Sequence, residues 1–356
     1  MSAPVMIMAG GTGGHIFPGL ALARALAQHD VPVVWLGSRN GLEQRLVPEA
    51  GIALRCIDIQ ALRGKGIAAL LLAPLRLLRA LWQAQRVLRA ERPRAVISFG
   101  GFAAGPGGLA AWILRRPLLV HEQNRIPGFT NRLLARLARR VLCGFEGAFG
   151  ARLGETVGNP VRPEIATLPV PAQRMADRQG PLRVLVLGGS QGARALNLAM
   201  PIAMRESGMA LDVRHQCGQR LQEAARSAYA DGGQSVRLEA FIDDMAEAYA
   251  WADLVIARAG ALTLAEIAAV GIGAVLVPFP HAVDDHQTAN ARVFVDAGAA
   301  RLLPESSQLA GKLAECLREL AGDPAQRLEM AQAARRLAWP DAAERVAEIV
   351  LQEARA

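Results

Sequence analysis

The stretch of sequence that decides the fold is Val5-Met6-Ile7-Met8-Ala9-Gly10-Gly11-Thr12-Gly13-Gly14-His15. Five apolar residues before a glycine-rich turn predict a buried strand, and the apolar pattern from Leu20 to Ala27 predicts a helix beyond the turn. The second half of the chain opens in the same way, with Val184–Leu187, Gly188–Gly192 and a helical pattern from Ala193 to Met204. Each unit is the first strand–turn–helix step of a doubly wound parallel sheet. The sequence therefore predicts an α/β protein with two Rossmann-like domains.

Two later apolar runs also lead into glycine. Ala95–Ser98 precedes Gly100-Gly101, and Leu254–Ala257 precedes Gly260. Ligands of doubly wound sheets bind outside the carboxyl ends of the strands. We therefore expect two sheets facing a cleft that is lined by these glycine-rich turns.

The domain boundary is expected in the proline-containing stretch 158–180, where periodicity is weak. We assign 1–160 to the N-terminal domain and 161–340 to the C-terminal domain. Trp339-Pro340 interrupts the last helical pattern before a final helix, Ala342 to Glu353.

Composition excludes several classes of protein. The chain has 356 residues, 52% of them hydrophobic, and this content is too apolar for a disordered chain. Four dispersed cysteines without a C-x-x-C pair argue against a zinc site and fit free thiols in a reducing cytosol. No signal-peptide pattern and no apolar run of ~20 residues is present, so the chain is expected to be soluble or to lie on a surface.

The net charge of +8 favours anionic partners. Aromatic residues make up only 4% of the chain, too few for base-stacking platforms, and no nucleic-acid-binding motif occurs. We therefore expect phosphates or acidic lipid as partners and no nucleic acid.

The first glycine-rich turn suits phosphate, because backbone N–H groups and the helix dipole converge at a helix N-terminus. It is neither G-x-G-x-x-G nor a P-loop, since Ile16 replaces the last glycine and no G-K-[ST] follows. His15 lies where the helix is expected to begin. A histidine there could act as a general base or phosphate donor, and the alternative is a capping or packing residue.

In the second half of the chain, the segment Arg258–Glu266 is likewise predicted to present helix N-terminal N–H groups to phosphate. Ala261–Thr263 would offer N–H groups and a hydroxyl to a diphosphate, and Glu266 could accept hydrogen bonds from ribose hydroxyls or be a solvated helix residue. The loops His281–Gln287 and His121–Asn124 could bind sugar hydroxyls, ligate a metal or be solvated. We expect no metal.

A helix predicted at Pro74–Arg92 raises the question of a membrane surface. At about 100° per residue, its outward face combines arginine with large apolar groups, namely Leu75, Arg76, Arg79, Trp82, Arg86 and Arg89. The core stripe is predicted to be Leu77, Leu81, Ala84 and Leu88. Such a face suits anionic lipid. The alternative is a helix buried on two sides with snorkelling arginines.

Eight motifs in order resemble the MurG family of bacterial N-acetylglucosaminyltransferases, within glycosyltransferase family 28. They are GGTGGHIFPGLALA (10–23), SFGGFAAGP (98–106), HEQN (121–124), GNPVR (158–162), GGSQGAR (188–194), FIDDMA (241–246), RAGALTLAE (258–266) and DDHQTANA (284–291). The resemblance covers nearly the whole chain. It implies a glycosyltransferase B-type fold whose last helix, 341–356, returns to the N-terminal domain. It also implies UDP-GlcNAc as donor and lipid I as acceptor, with no cofactor.

Site residues follow from the resemblance, motif by motif. The implied donor-binding residues are Thr12, Gly13, Gly14, Asn124, Arg162, Ser190, Ile242, Ala261, Leu262, Thr263, Leu264, Ala265, Glu266 and Gln287. The implied acceptor-binding residues are Gly100, Gly101, Phe102, Gly105 and Glu122. Ile242 would lie against uracil. His15 is the first choice of base and Glu122 the second. Ala104 departs from the family, which often has a hydroxyl residue there.

The resemblance also implies a place and partners. We expect a peripheral protein at the cytoplasmic face of the inner membrane, where other cell-wall synthesis and division proteins would be partners. A UDP-GlcNAc 2-epimerase can share this architecture, and it or another UDP-sugar glycosyltransferase of the same fold is the alternative enzyme. A non-catalytic module that binds a sugar nucleotide or a membrane is a further alternative.

Overall fold

The protein is described by a computed structural model that covers residues 3–59, 73–150, 153–176, 178–189, 192–230 and 235–355. The chain divides into two compact units. Unit 1 comprises Met1–Arg162 and Pro340–Ala356, and unit 2 comprises Pro163–Trp339. The first crossing therefore lies two residues beyond the boundary expected from the sequence.

Unit 1 alternates strands with helices. In chain order its elements are β1 (Val5–Ala9), α1 (Gly13–Gln28), β2 (Val33–Ser38), α2 (Glu43–Glu49), β3 (Ala53–Ile57), α3 (Ala73–Glu91), β4 (Ala95–Gly100), α4 (Ala104–Ile113), β5 (Leu118–Glu122), α5 (Phe129–Leu134), β6 (Arg140–Cys143) and β7 (Glu155–Thr156). Within the described residues the strands form one parallel sheet in the order β3-β2-β1-β4-β5-β6-β7.

Unit 2 repeats the plan. Its elements are α6 (Pro163–Ala166), α7 (Pro171–Arg174), β8 (Leu182–Leu187), α8 (Arg194–Ser207), β9 (Leu211–Gln216), α9 (Gln222–Tyr229), β10 (Ser235–Glu239), α10 (Met245–Trp251), β11 (Leu254–Ala257), α11 (Ala261–Val270), β12 (Ala274–Leu276), α12 (His286–Asp296), β13 (Ala300–Leu302), α13 (Leu309–Gly322) and α14 (Pro324–Arg336). Its parallel sheet has the order β10-β9-β8-β11-β12-β13 over the residues described.

Both sheets have the doubly wound strand order. In each unit the early strands are added on one side of the first strand, and the later strands are added on its other side. The last helix, α15 (Ala342–Arg355), belongs to unit 1 and packs against α1. The predicted fold class, including this returning helix, is therefore confirmed.

Alternate residues of β1 serve two cores, because successive strand side chains point to opposite faces. Val5 and Ile7 pack in the cluster that contains α1 and α15, whereas Met6 and Met8 pack in the cluster of α3 and α4. All four are fully buried. The continuous apolar run therefore marks a strand that is covered on both faces.

The core stripe of α3 differs from the prediction. Ala80, Ala84 and Leu88 are buried, but Leu77 is 45% exposed. Small alanines allow α3 to approach the sheet and α4 closely, so the stripe is shifted around the helix from the predicted position.

Candidate active site

Helix α1 begins at Gly13, two residues before His15, where the sequence predicted that the turn ends and a helix begins. Thr12 is the N-cap, with extended backbone angles, and its carbonyl accepts from the N–H groups of His15 (3.1 Å) and Ile16 (3.2 Å). Glycine lowers helix propensity, which hid this start in the sequence. Gly13, Gly14 and His15 thus form the first turn, in which Gly13 and Gly14 precede the first hydrogen bonds to the N-cap carbonyl.

The imidazole of His15 is oriented by the turn before it. Its Nδ1 lies 3.1 Å from the carbonyl oxygen of Gly10 and 3.4 Å from Oγ1 of Thr12. A carbonyl only accepts, so this contact favours the neutral tautomer with the proton on Nδ1, in which Nε2 is the basic nitrogen. A Cβ built on Gly100 would lie 3.1 Å from Nε2. The basic nitrogen therefore faces the turn after β4.

The turns after β1 and β4 touch through their backbones. Gly101 has φ +94°, and a Cβ on it would lie 2.6 Å from the oxygen of Gly10. Only glycine combines this angle with this approach. The two turns named in the sequence analysis thus form one surface at the carboxyl edge of the sheet in unit 1.

A buried carboxylate that sequence reasoning missed supports the first turn. Glu43, at the start of α2, is fully buried. Its Oε2 accepts from the N–H of Gly11 at 3.0 Å, and its Oε1 accepts from N and Oγ of Ser38 at 2.9 and 2.7 Å. In the sequence, only the glycines near Glu43 hint at this role. A buried carboxylate needs backbone N–H donors close to it, and glycine allows the backbone to come close.

Glu122 lies at the end of β5, inside the strand rather than after it as predicted. Its carboxylate is buried and accepts four hydrogen bonds, from N and Nδ2 of Asn124, N of Gly128 and Nδ2 of Asn131. Both oxygens are thereby engaged. The arrangement suits a residue that shapes the 123–128 loop better than one that takes a proton from a substrate.

The neighbouring His121 has a structural role. Its Nε2 donates to the carbonyl of Gly158 at 3.0 Å, and Gln123 approaches its Nδ1 at 3.1 Å. Burial lowers the pKa of His121 to about 4, although the Gly158 carbonyl acts in the opposite direction. His121 is therefore neutral and links β5 to the segment that carries Arg162.

Arg162 lies beside the first turn. Its guanidinium carbon is 5.5 Å from the ring centroid of Phe17, and a Cβ on Gly13 would be 3.0 Å from the same ring. A cation next to the N-terminus of α1 adds to the positive potential there.

The turn expected to meet the acceptor leads into α4. Phe102 is exposed, Gly105 is half-buried, and Ala104 is fully buried in the core cluster. The absence of a hydroxyl at Ala104 therefore removes no group from the surface of this turn, and the exposed chemistry there is backbone and the Phe102 ring.

In unit 2, α11 begins at Ala261 after Gly260, so the N–H groups of residues 261–263 form its first turn. Leu264 is fully buried, while Leu262, Thr263 and Ala265 are half-buried. Glu266 is buried and accepts from the hydroxyl of Tyr249 at 3.2 Å. The alternative of a solvated Glu266 is wrong, because its carboxylate is held in place.

Ile242, which the resemblance places against uracil, lies in the segment that follows β10. Ile242 is fully buried, and its N–H donates to Oε1 of Gln216 at 3.1 Å. Gln216 also donates to the carbonyl of Gly189 at 3.1 Å. Gln216, another residue missed in the sequence, thus ties the turn after β8 to the Ile242 segment. Ser190 lies outside the described residues.

Arg258 fixes the loop after β12. It donates to the carbonyls of Val277 (3.0 Å) and Pro278 (3.2 Å) and pairs with Glu305 at 2.5 Å. At the start of α12, Oε1 of Gln287 accepts from the N–H of Phe279 in this loop at 2.9 Å, which leaves the Nε2 amide group of Gln287 as its donor. In the described part of the chain, no group of three or more His, Cys, Asp or Glu residues has a metal-binding arrangement.

The outward face of α3 is exposed as predicted. Leu75 is 64% and Trp82 54% exposed, and the guanidinium carbon of Arg86 lies 4.8 Å from the Trp82 ring centroid. Arg76 and Arg89 are exposed as well, whereas Arg79 pairs with Asp58 at 3.2 Å. The exposed large apolar side chains of α3 and the adjacent α4 are Leu75, Leu77, Leu78, Trp82, Trp112 and Ile113. Among the helices described, none has the length and hydropathy of a membrane span.

Known proteins resemble the chain over its whole length. The model of the glycosyltransferase family 28 N-terminal domain matches residues 5–143, and that of the C-terminal domain matches residues 183–346. The Xanthomonas campestris UDP-N-acetylglucosamine–N-acetylmuramyl-(pentapeptide) pyrophosphoryl-undecaprenol N-acetylglucosamine transferase is 62% identical over 352 residues, which cover 99% of this chain and 82% of that protein. The Xylella fastidiosa transferase of the same name is 60% identical, with 98% and 96% covered. The crystal structure of Acinetobacter baumannii MurG superposes with a TM-score of 0.84 at 41% identity and covers 99% of this chain and 100% of that one.

Proposed function

The chain belongs to glycosyltransferase family 28, and we propose that it transfers N-acetylglucosamine from UDP-GlcNAc to lipid I, undecaprenyl-diphosphoryl-MurNAc-pentapeptide. The product is lipid II, a precursor of peptidoglycan. The observation that carries the proposal is the placement of His15 at the carboxyl edge of the unit 1 sheet, with its basic nitrogen towards the Gly100 turn. The donor and the acceptor are those of the X. campestris and X. fastidiosa transferases, which are 62% and 60% identical to this chain.

The reaction is a single inverting displacement. The C4 hydroxyl oxygen of MurNAc forms a bond to the anomeric carbon of GlcNAc while the bond from that carbon to the diphosphate oxygen breaks and UDP leaves. The hydroxyl proton passes to Nε2 of His15, which acts as general base. The displaced diphosphate gains negative charge, and helix N-terminal amides stabilise it.

Donor binding is assigned to unit 2. The first turn of α11, Ala261–Thr263, binds the diphosphate, and Glu266 accepts hydrogen bonds from the ribose hydroxyls. Tyr249 holds the Glu266 carboxylate, and this contact favours a fixed acceptor over a mobile one. Gln287 offers its Nε2 to the sugar. In unit 1, Thr12–Gly14, Asn124 and Arg162 carry the remaining donor contacts.

Acceptor binding is assigned to the turn Gly100–Gly105. Gly100 and Gly101 have positive φ values, and the N–H of Gly100 donates to Oγ of Ser98 at 3.3 Å. Helix α4 begins within this segment at Ala104, so the N–H groups of its first turn are the proposed donors. Such a turn binds the lipid-linked diphosphate without side-chain charge. Glu122 acts here as a positioning residue for the loop that carries Asn124.

The test is transfer of labelled GlcNAc from UDP-GlcNAc to a short-chain lipid I analogue, with UDP-GalNAc as the control donor. We expect lipid II only when both substrates are present, and His15→Gln to lower kcat at least about 100-fold. Conversion of UDP-GlcNAc in the absence of acceptor would favour the epimerase instead. Nearly full kcat in His15→Gln would remove the base assignment.

The exposed face of α3 and α4 is proposed to rest on the anionic inner surface of the cell membrane. Apolar side chains enter the lipid, and the flanking arginines meet the head groups. We expect Leu75→Glu with Trp82→Glu to abolish sedimentation with anionic vesicles. Leu198→Glu changes an exposed leucine on α8 of unit 2 (44% exposed), is the control and should sediment normally. Unchanged sedimentation of the double variant would refute this surface.

A further inference from the structure

One peptide group of the first turn carries hydrogen bonds at both ends. Its N–H, from Gly11, donates to Oε2 of Glu43 at 3.0 Å. Its carbonyl, from Gly10, faces Nδ1 of His15 at 3.1 Å. Since the C–N bond of a peptide has partial double-bond character, charge at one end of the group polarises the other. Glu43 and His15 are therefore coupled through a single planar unit.

The structure makes room for the carboxylate. A Cβ on Gly41 would lie 1.9 Å from Oε2 of Glu43, and a Cβ on Gly10 would lie 2.5 Å from Oε1. Gly37 is similarly close, at 2.8 Å from the Glu43 Cγ. Backbone from three segments thus encloses one fully buried acidic side chain. Burying a carboxylate is costly unless donors satisfy it, and here Ser38 and Gly11 supply them.

We propose that Glu43 is a positioning residue that holds His15 in its Nδ1-protonated form through the Gly10–Gly11 peptide. The carboxylate draws the Gly11 N–H towards itself, which increases the negative charge on the Gly10 oxygen. That oxygen then accepts the Nδ1 proton more strongly, and Nε2 keeps its lone pair for the substrate hydroxyl. When Nε2 takes the proton, the buried negative charge also stabilises the imidazolium.

The Thr12 hydroxyl does not replace this arrangement. Its Oγ1 lies 3.4 Å from Nδ1, longer than the 3.1 Å to the Gly10 oxygen, and a hydroxyl can either donate or accept. The Thr12 hydroxyl therefore does not determine which ring nitrogen of His15 carries the proton. The Gly10 carbonyl, polarised by Glu43, determines it.

The first measurement uses the unaltered chain with ¹⁵N-labelled histidine. At about pH 8 a histidine of ordinary pKa is neutral, and the nitrogen chemical shifts identify which ring nitrogen carries the proton. The His15 signals are assigned by their loss in His15→Gln. We expect the proton on Nδ1. A proton on Nε2 overturns the proposal without any further variant.

The second measurement uses Glu43→Gln. Gly11 and Ser38 donate to different oxygens of Glu43, whereas glutamine has a single side-chain oxygen, so one of the two backbone donors loses its acceptor and the charge is lost. We expect a mixture of His15 tautomers, a kcat lower by about tenfold and a KM for UDP-GlcNAc changed by less than about twofold. Glu49→Gln, the same change at an exposed position of α2, should match the unaltered chain in all three.

The outcomes separate this inference from the proposed function. Only the expected change in kcat rests on the proposed function, whereas the tautomer measurement does not. Transfer activity with unchanged tautomer and kcat in Glu43→Gln overturns the role of Glu43 and leaves the transferase intact. If the unaltered chain makes no lipid II but Glu43→Gln still changes the His15 tautomer, the role of Glu43 is supported and the proposed function is overturned. If Glu43→Gln does not fold, the tautomer of the unaltered chain still decides.

Discussion

Acid is expected to weaken both units, because each buries a neutral histidine. Burial lowers the pKa of His121, at the end of β5, to about 4 and that of His215, in β9, to about 3, from an ordinary 6.5. His215 approaches the Tyr229 hydroxyl with Nδ1 at 2.7 Å and is fully buried. Unfolding exposes both rings to water, where they bind protons more readily.

The size of the effect follows from the pKa difference. Below the unfolded pKa of about 6.5, the unfolded chain binds more protons than the folded one, so stability falls as the pH falls. Each pH unit in this window costs about 1.4 kcal/mol per histidine, which amounts to about 2 kcal/mol for each at pH 5. The loss levels off below the folded pKa values of about 4 and about 3.

The assay is urea unfolding between about pH 7 and pH 5, followed by hydrogen exchange in β5 for unit 1 and in β9 for unit 2. Stopping near pH 5 keeps the measurement above the usual titration of carboxylates. His121→Gln should flatten the pH dependence of unit 1 alone, and His215→Gln that of unit 2 alone, since glutamine keeps a polar contact without titrating.

A flat profile in the unaltered chain would refute the reasoning. So would a slope that survives in both variants, because titrating groups other than these two would then be responsible. His29→Gln is the control, since His29 is exposed and pairs with Glu344 at the surface.

Gly101→Ala should destabilise unit 1 by about 2–4 kcal/mol in urea unfolding, because a positive φ and contact with the Gly10 backbone both oppose a Cβ; a change within the error of the method would contradict this. Arg174→Met should destabilise unit 2 by about 3 kcal/mol, since it leaves two buried carbonyls without the guanidinium that donates to both at 2.7 Å. Glu266→Gln should raise KM for UDP-GlcNAc about tenfold or more with a smaller change in kcat, and Tyr249→Phe should have a weaker effect of the same kind; a kcat defect alone would argue against a ribose contact.

The sequence predicted those features that depend on neighbouring residues. Buried runs such as Val5–Ala9 and Leu254–Ala257, each followed by glycine, predict strands and turns because the pattern is local. Two domains followed from the repetition of this pattern. The first two residues of α1, Gly13 and Gly14, were not predicted to be helical because glycine disfavours helix interiors, although it is tolerated in a first turn.

Features that depend on contacts distant in sequence were not predictable in this way. Glu43 lies in a segment that shows only a helical pattern, and its importance comes from 32 residues away, at Gly11. The shift of the α3 stripe from Leu77 to Ala80 depends on how closely α4 approaches. The hydrogen bond from the Ile242 N–H to Gln216 joins two segments that no local pattern connects.

The return of α15 to unit 1 has a consequence for biosynthesis. Val346, Ala347, Ile349 and Val350 complete the cluster that covers one face of β1, yet the ribosome makes them after all of unit 2. Unit 2 is continuous in sequence and can fold as soon as it emerges. Unit 1 is made first but must wait with an uncovered apolar face, so the nascent chain is most exposed to aggregation or chaperone capture until its last helix leaves the exit tunnel.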